Sequence, residues 1–385
     1  MAALVSITAP QRSYHTPVII GEKHTIVSEH LNESRTYRIY TPPSYELSKN
    51  MQYRVLYLLD GDQSKFHEST GIIQSMNSVA NLKMQIPELI IVAIENIDRI
   101  KDFTPTHSIS YKGHENQRAF SSSGGANRFV AFLEEELISQ IDHSFRTTGE
   151  NILVGHSLGG LFALHCFLDR PSLFAQYIVI DPSWSWGHSY ILERAVTVLP
   201  KNRYPQSRMY IALANTLEEN RFNQQAAEQF SNLIQQYTAD AVTVKTRYFE
   251  EEKHLTLPIP ALYYGLRFLF DGYDIGDFRN ILKEPSMLTS HYKKASEHLG
   301  TKFVPAELYV NALGYLALYD HKLTEAAITI FEINVKNYPM SPNAWDSLAE
   351  AYTLKGNLPE AQRCYEKIAK LNPEYPHPQK IIEKR

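Results

Sequence analysis

A short apolar run, Asn151-Ile152-Leu153-Val154, leads directly into Gly155-His156-Ser157-Leu158-Gly159-Gly160, and helical patterning begins at Leu158. A strand, a G-x-S-x-G sequence and a helix in immediate succession leave few folds open. The serine must sit on a sharp strand-to-helix turn at the end of a buried strand. Gly155 and Gly159 leave room for close packing across that turn, and Gly160 allows further close packing at the helix start. The helix N-terminus favours negative charge beside the serine oxygen, and the Leu158 N–H points to where an oxyanion would form. The pattern predicts Ser157 as a nucleophile and Leu158 as an oxyanion-hole donor.

The surrounding sequence supplies a sheet for such a turn. Residues 24–41 read as a hairpin around Asn32-Glu33-Ser34. Further apolar runs cover 54–59, 89–94, 177–180, 209–214 and 242–249. They are continuous rather than alternating, as in strands covered on both faces. Helical patterns fall between them, at about 67–83, 125–142, 158–169, 188–198, 218–237 and 257–271. Alternating strands and helices predict an α/β fold, a mostly parallel doubly wound sheet, with its site at the carboxyl ends of the strands. Residues 97–123 hold few periodic apolar positions, and are expected to form an active-site wall or a surface loop.

After residue 271 the strand-like runs stop. Asn343-Ala344-Trp345-Asp346-Ser347-Leu348-Ala349-Glu350-Ala351-Tyr352, with Gly356, Ala361, Tyr365 and Asn372-Pro373, echoes Asn311-Ala312-Leu313-Gly314-Tyr315 with Ala326, Phe331 and Tyr338-Pro339 at a period of about 34 residues. This is a tetratricopeptide-like pattern, with Asp320-His321-Lys322 where the first repeat lacks its turn glycine. The expected division is a hydrolase domain at 1–275, a helical linker at 276–300 and an all-α repeat domain at 301–385. Two repeats are fewer than stack stably alone, so a helix near 286–299 and docking onto the hydrolase domain are expected to complete them. Their small groove favours homodimerisation or capping of the hydrolase surface over peptide binding.

A serine nucleophile needs a base that titrates near neutrality. In this chain order the base follows the last strand, which places it at His254. The acid is expected after strand 209–214, in Asn215-Thr216-Leu217-Glu218-Glu219-Asn220. Glu218 is the first candidate, with Glu219, Asp181 or no acid as the alternatives. A carboxylate there would fix the imidazole tautomer. The second oxyanion donor is expected from Asp60-Gly61-Asp62-Gln63, as the N–H of Asp62 or Gln63. The elbow is expected to turn the His156 ring away, leaving it a packing role, and His107, His114 and His188 read as loop residues near the pocket or at the surface.

Composition bounds the rest. With 43% hydrophobic residues the chain can bury a full core, and a net charge of −4 gives no electrostatic support for nucleic-acid binding. Two cysteines, Cys166 and Cys364, read as buried thiols rather than a disulfide framework. No cluster has metal-ligand spacing, so neither metal nor cofactor is expected. No run reaches the length of a membrane span, so no membrane insertion is expected. The first ten residues lack a leader pattern. The expected compartment is the cytoplasm, or the periplasm if a leader has been removed.

Several blocks resemble a bacterial esterase family that includes enterochelin-esterase-like and esterase D-like hydrolases. They are Leu58-Leu59-Asp60-Gly61-Asp62, Asn96 to Thr106, Gly155 to Gly160, and Asp181-Pro182-Ser183-Trp184-Ser185-Trp186. The resemblance covers about 16–272. It implies the α/β-hydrolase fold, carboxylic-ester hydrolysis without a cofactor, Ser157 and His254 as catalytic residues and Glu218 as the acid. The last block departs from the family pattern. It opens with Asp181 where a serine is usual, and Ser185 separates the two tryptophans. Gly61, Arg99, Trp184 and Trp186 are the expected substrate-pocket residues for a small-molecule ester. Arg99, Lys101, Lys112 and Arg118 could meet an anionic ligand. The rivals are a thioesterase or acyltransferase on the same scaffold, a peptidase, and a non-catalytic interaction protein that works through its repeats.

Overall fold

The computed structural model describes residues 16–376 apart from 80, 81, 83 and 110–116, and excludes the side chain of Glu218. His114 and Lys112 therefore lie outside the described residues.

Eight strands form one sheet: β1 (Glu22–Ser28), β2 (Glu33–Tyr40), β3 (Tyr53–Leu58), β4 (Leu89–Ile94), β5 (Thr147–His156), β6 (Gln176–Ile180), β7 (Ser207–Ala214) and β8 (Val242–Phe249). Their order is β1-β2-β4-β3-β5-β6-β7-β8. β1 pairs antiparallel with β2, and β2 with β4, while the other pairs are parallel. The sequence thus located every strand, but placed the hairpin turn too late. The turn occupies 29–32, with Asn32 at φ 56° as its left-handed residue, and Glu33 and Ser34 already pair in β2.

Every residue of β3 and β4 is buried, which explains their unbroken apolar sequence. Alternation still sorts their side chains. Leu56 and Leu58 join one core layer, whereas Val55, Tyr57 and Leu59 join the opposite one. Helices Gln63–Met76 and Pro258–Leu269 contribute to the first layer, and Leu158–Asp169, Trp186–Val198 and Asn220–Tyr237 to the second. From β3 the chain crosses to β4 on one side and later returns to β5 on the other. The strand order reverses there, so the carboxyl ends of β3 and β5 flank a crevice.

The described part of the 97–123 stretch has more structure than its polarity suggests. Helix Arg99–Phe103 drives Phe103 fully into the core. Cys166 and Cys364 are both buried thiols.

Beyond β8 the chain is helical. Helices Ser286–Leu299, Glu307–Tyr315, Thr324–Asn337, Pro342–Lys355 and Leu358–Leu371 follow one another, and the last four pack each against the next. The apolar core does not stop at residue 275. One cluster runs from Leu56 and Ile91 through Leu269, Phe270 and Tyr273 to Tyr292, Phe303, Tyr309 and Phe331. The junction lies at the amino ends of the parallel strands. Near the start of β3, Arg54 pairs with Glu150, donates to Thr301 Oγ1 at 2.9 Å and stacks 4.1 Å from the Phe303 ring.

A chain ended at residue 275 should therefore expose core surface. We expect it to melt at least ~10 °C below the full chain, since one kcal/mol shifts a domain this size by a few degrees, or to aggregate. A soluble, monodisperse truncate with an unchanged melting temperature would show that the helices do not complete the core.

Candidate active site

Ser157 follows β5 directly and holds φ 60°, ψ −117°, a conformation that side-chain-bearing residues rarely adopt. Three backbone hydrogen bonds hold it. Its N–H donates to Ile180 O at 2.9 Å, and its carbonyl accepts from Leu161 N at 3.0 Å and Ser183 N at 3.1 Å. Gly155 is required because a Cβ there would overlap the Gly159 carbonyl, and at Gly160 a Cβ would press against Pro182 at 3.0 Å. Gly159 is less constrained than the sequence suggested: a Cβ would lie 3.4 Å from Asp60 Oδ2. Leu158 opens the helix, so its N–H has no helical acceptor.

His254 follows β8, and its Nδ1 lies 2.6 Å from a carboxylate oxygen. That carboxylate belongs to Asp181, at the end of β6. The sequence put Glu218 first and Asp181 among the alternatives; the structure sets Asp181 against Nδ1, while Glu218 lies in a short 3-10 turn (Leu217–Glu219) after β7. Asp181 is well fixed for this contact. Its backbone sits at φ 39°, its N–H donates to Ala212 O at 2.7 Å, and its Oδ1 accepts from Ala214 N at 3.2 Å. It is 3% exposed, whereas the His254 side chain is 40% exposed. A buried carboxylate that accepts from Ala214 N through one oxygen and meets Nδ1 through the other favours the proton on Nδ1 and leaves Nε2 as the basic nitrogen.

His156 was expected to turn away, but its ring lies on that of His254, with centroids 4.4 Å apart and planes tilted by 39°. Burial, followed by the charge of His254, pushes the His156 imidazole down from 6.5 to about 4, against the opposing pull of Asp60 and Asp181. His156 is therefore neutral at physiological pH.

The turn after β3 supplies the opposite wall. Asp60, at φ 55°, is gripped by Arg99 through Nε at 2.9 Å and Nη2 at 3.0 Å, and by Asn96. Gly61 donates to Ile94 O at 2.8 Å, and its carbonyl accepts from Arg38 at 3.1 Å. Its Cα faces the Ala93–Ile94 peptide so closely that any side chain would overlap it. Asp62 does not present its N–H to the cleft, because that N–H donates to Asp60 O at 2.9 Å while its side chain caps the following helix at Lys65 N. Gln63 is the first residue of that helix, so its N–H has no helical acceptor.

The remaining pocket expectations change for steric reasons. Trp184 and Trp186 are 1% and 0% exposed and pack against Phe230 and Phe120 respectively, so they form core behind the cleft rather than its lining. Arg99 clamps Asp60, and the helix that carries it is anchored by a buried ion pair, Arg35–Asp102 at 2.6 Å. Lys101 faces Glu33 at 3.7 Å, and Arg118 and His188 are exposed. His107 Nδ1 lies 3.2 Å from Ser123 O. Among the described residues there is no group of three metal-ligand side chains and no helix long and apolar enough to cross a membrane.

The chain belongs to the esterase family described as "Putative esterase", whose profile matches residues 28–256. It is 31% identical over 216 residues to the ferri-bacillibactin esterase BesA of Bacillus subtilis, covering 52% of this chain and 74% of that one. It is 28% identical over 200 residues to a siderophore enterobactin esterase of Emericella nidulans, of which 65% is covered. Among solved structures, an IroE-like serine hydrolase from Shewanella oneidensis aligns with a TM-score of 0.72 at 28% identity, over 82% of this chain and 98% of its own. These likenesses support an ester hydrolase of α/β fold.

The His156 ring has a consequence in acid. Its folded pKa lies below its unfolded value, so the unfolded chain binds the extra proton. Stability from this group is complete above pH 6.5 and is lost as pH falls through about 4, by about 3 kcal/mol at most. We expect the stability of a His156→Gln variant, followed by urea titration, to fall less between pH 7 and pH 4.5 than that of the parent. Equal falls would contradict a buried neutral imidazole.

Proposed function

We propose that this protein is a serine carboxylic-ester hydrolase that works through an acyl-enzyme on Ser157, with His254 as general base and Asp181 as the acid of the triad. The observation that carries this reading is the His254 Nδ1–Asp181 Oδ2 bond at 2.6 Å, beside a serine held on a strained turn at a helix N-terminus.

His254 Nε2 takes the Ser157 proton as the hydroxyl attacks the ester carbonyl. The oxyanion accepts from the N–H groups of Leu158 and Gln63. Asp181 steadies the imidazolium, and the neutral ring of His156 adds no competing charge. His254 then returns the proton to the departing alcohol, and water repeats the sequence on the acyl-enzyme. The named substrates of the relatives make a siderophore ester the first natural compound to try. Because Asp60 already engages Arg99, recognition of an anionic ligand would fall to other cations, with Arg118 exposed nearby in sequence.

The helices from Glu307 to Leu371 we read as a tetratricopeptide-like pair that caps the amino ends of the strands. Their two successive helix pairs and the 34-residue echo in the sequence support this, and a homodimer or protein contact through them is part of the reading.

Hydrolysis of p-nitrophenyl esters of graded acyl length and of a siderophore trilactone tests the chemistry. We expect Ser157→Ala to abolish turnover and Asp181→Asn to lower kcat by roughly 10⁴-fold, the scale seen when a triad acid loses its charge. Glu218→Gln should stay within about twofold of the parent, an effect worth less than ~0.5 kcal/mol. A collapse on Glu218→Gln with an active Asp181→Asn would reverse the assignment of the acid, and Ser157-independent turnover would reject the mechanism.

A further inference from the structure

The end of β7, where the sequence led us to expect the acid, carries Asn215, and its contacts give it a different task. Its backbone N–H donates to Glu252 O at 2.8 Å, and its side-chain Nδ2 donates to Glu250 O at 3.0 Å. Both acceptors belong to the stretch between β8 and His254. Its remaining bonds run to its immediate chain neighbours: Glu252 N donates to Phe249 O at 3.3 Å, Lys253 N to Thr256 Oγ1 at 2.9 Å, and Lys253 O accepts from Thr256 N at 3.1 Å and Leu257 N at 3.0 Å.

The orientation of the Asn215 amide is itself fixed. Its Oδ1 accepts from Asn220 Nδ2 at 2.7 Å and from Leu217 N at 3.4 Å, so its nitrogen must face the Glu250 carbonyl. Asn220 is held in turn, with its Oδ1 accepting from Thr216 N at 2.6 Å and its Nδ2 also reaching Tyr248 OH at 3.2 Å. The network therefore joins the end of β7, the start of helix Asn220–Tyr237 and the end of β8. A carboxylate in place of Asn215 would turn an acceptor toward the Glu250 carbonyl and leave both groups without a proton.

We infer that Asn215 is a positioning residue for His254: an amide at the end of β7 fastens the loop that carries the base, while the carboxylate that polarises the base comes from β6. The inference rests on the proposed role of His254. The half-exposed imidazole is held at its ring by Asp181 and His156, and its chain is held through Asn215. Releasing the chain lets the ring leave the Asp181 carboxylate without altering either partner.

Asn215→Ala and Asn215→Asp, compared with the parent, test this. Circular dichroism and melting temperature identify a variant that has simply failed to fold. In folded variants we expect kcat to fall at least tenfold while KM stays within about twofold, with Asn215→Asp no better than Asn215→Ala despite its closer shape. The independent readout is the downfield proton resonance of the His254 Nδ1–H, assigned by its loss in Asp181→Asn. It should broaden or vanish in both variants. A folded Asn215→Ala that retains the sharp resonance and the parent kcat overturns the inference. A parent without Ser157-dependent hydrolysis would defeat the functional reading instead, and the resonance would still report whether Asn215 holds the ring.

Discussion

Ser157 occupies a backbone conformation that costs of the order of 1–3 kcal/mol, and much of the surrounding architecture serves to hold it there. Its N–H and C=O bind the segment that leaves β6, at Ile180 and Ser183. The same segment places Asp181 and presses Pro182 against Gly160. The turn that bears the serine and the turn that bears the carboxylate are thus one packed unit. Displacing either disturbs both, which gives the arrangement a rigidity that separate loops would lack.

The opposite wall is fixed by charge as well as by the close packing at Gly61. Arg35 and Asp102, both buried, anchor a short helix to β2, and that helix aims Arg99 at Asp60. Arg38 holds the next carbonyl of the same turn. Breaking a buried pair such as Arg35–Asp102 leaves an uncompensated charge, typically at a cost of about 3–5 kcal/mol. The turn after β3 therefore depends on two arginines of β2 and the adjoining helix, neither of which the local sequence Asp60-Gly61-Asp62 announces.

How much of this could be read beforehand follows from the range of the forces involved. The strands, the elbow and His254 were legible because hydrophobic periodicity and turn chemistry are local. The acid was not, because a choice among Asp181, Glu218 and Glu219 depends on which strand end lies beside His254. The useful signal was Asp181 itself, an acidic residue directly after the apolar run 177–180. Trp184 and Trp186 were misjudged because aromatic residues beside a nucleophile suit a pocket and a core equally well, and only burial separates the two. His156 has the packing role the sequence suggested, but its partner, the His254 ring, could not be read locally. The roles of Arg99 and Asn215 rest on contacts across 39 and 35 residues of sequence, respectively, with Asp60 and Glu250.

The helical layer meets the sheet at Arg54, Glu150 and Thr301, the end of the strands remote from Ser157. Six residues of β3, at about 3.3 Å each, put roughly 20 Å of rigid strand between the two. The helical layer therefore stands at the far end of the sheet from Ser157. Anything they grasp would moor the molecule by its heel, with the reactive face turned outward and still open to freely diffusing ester.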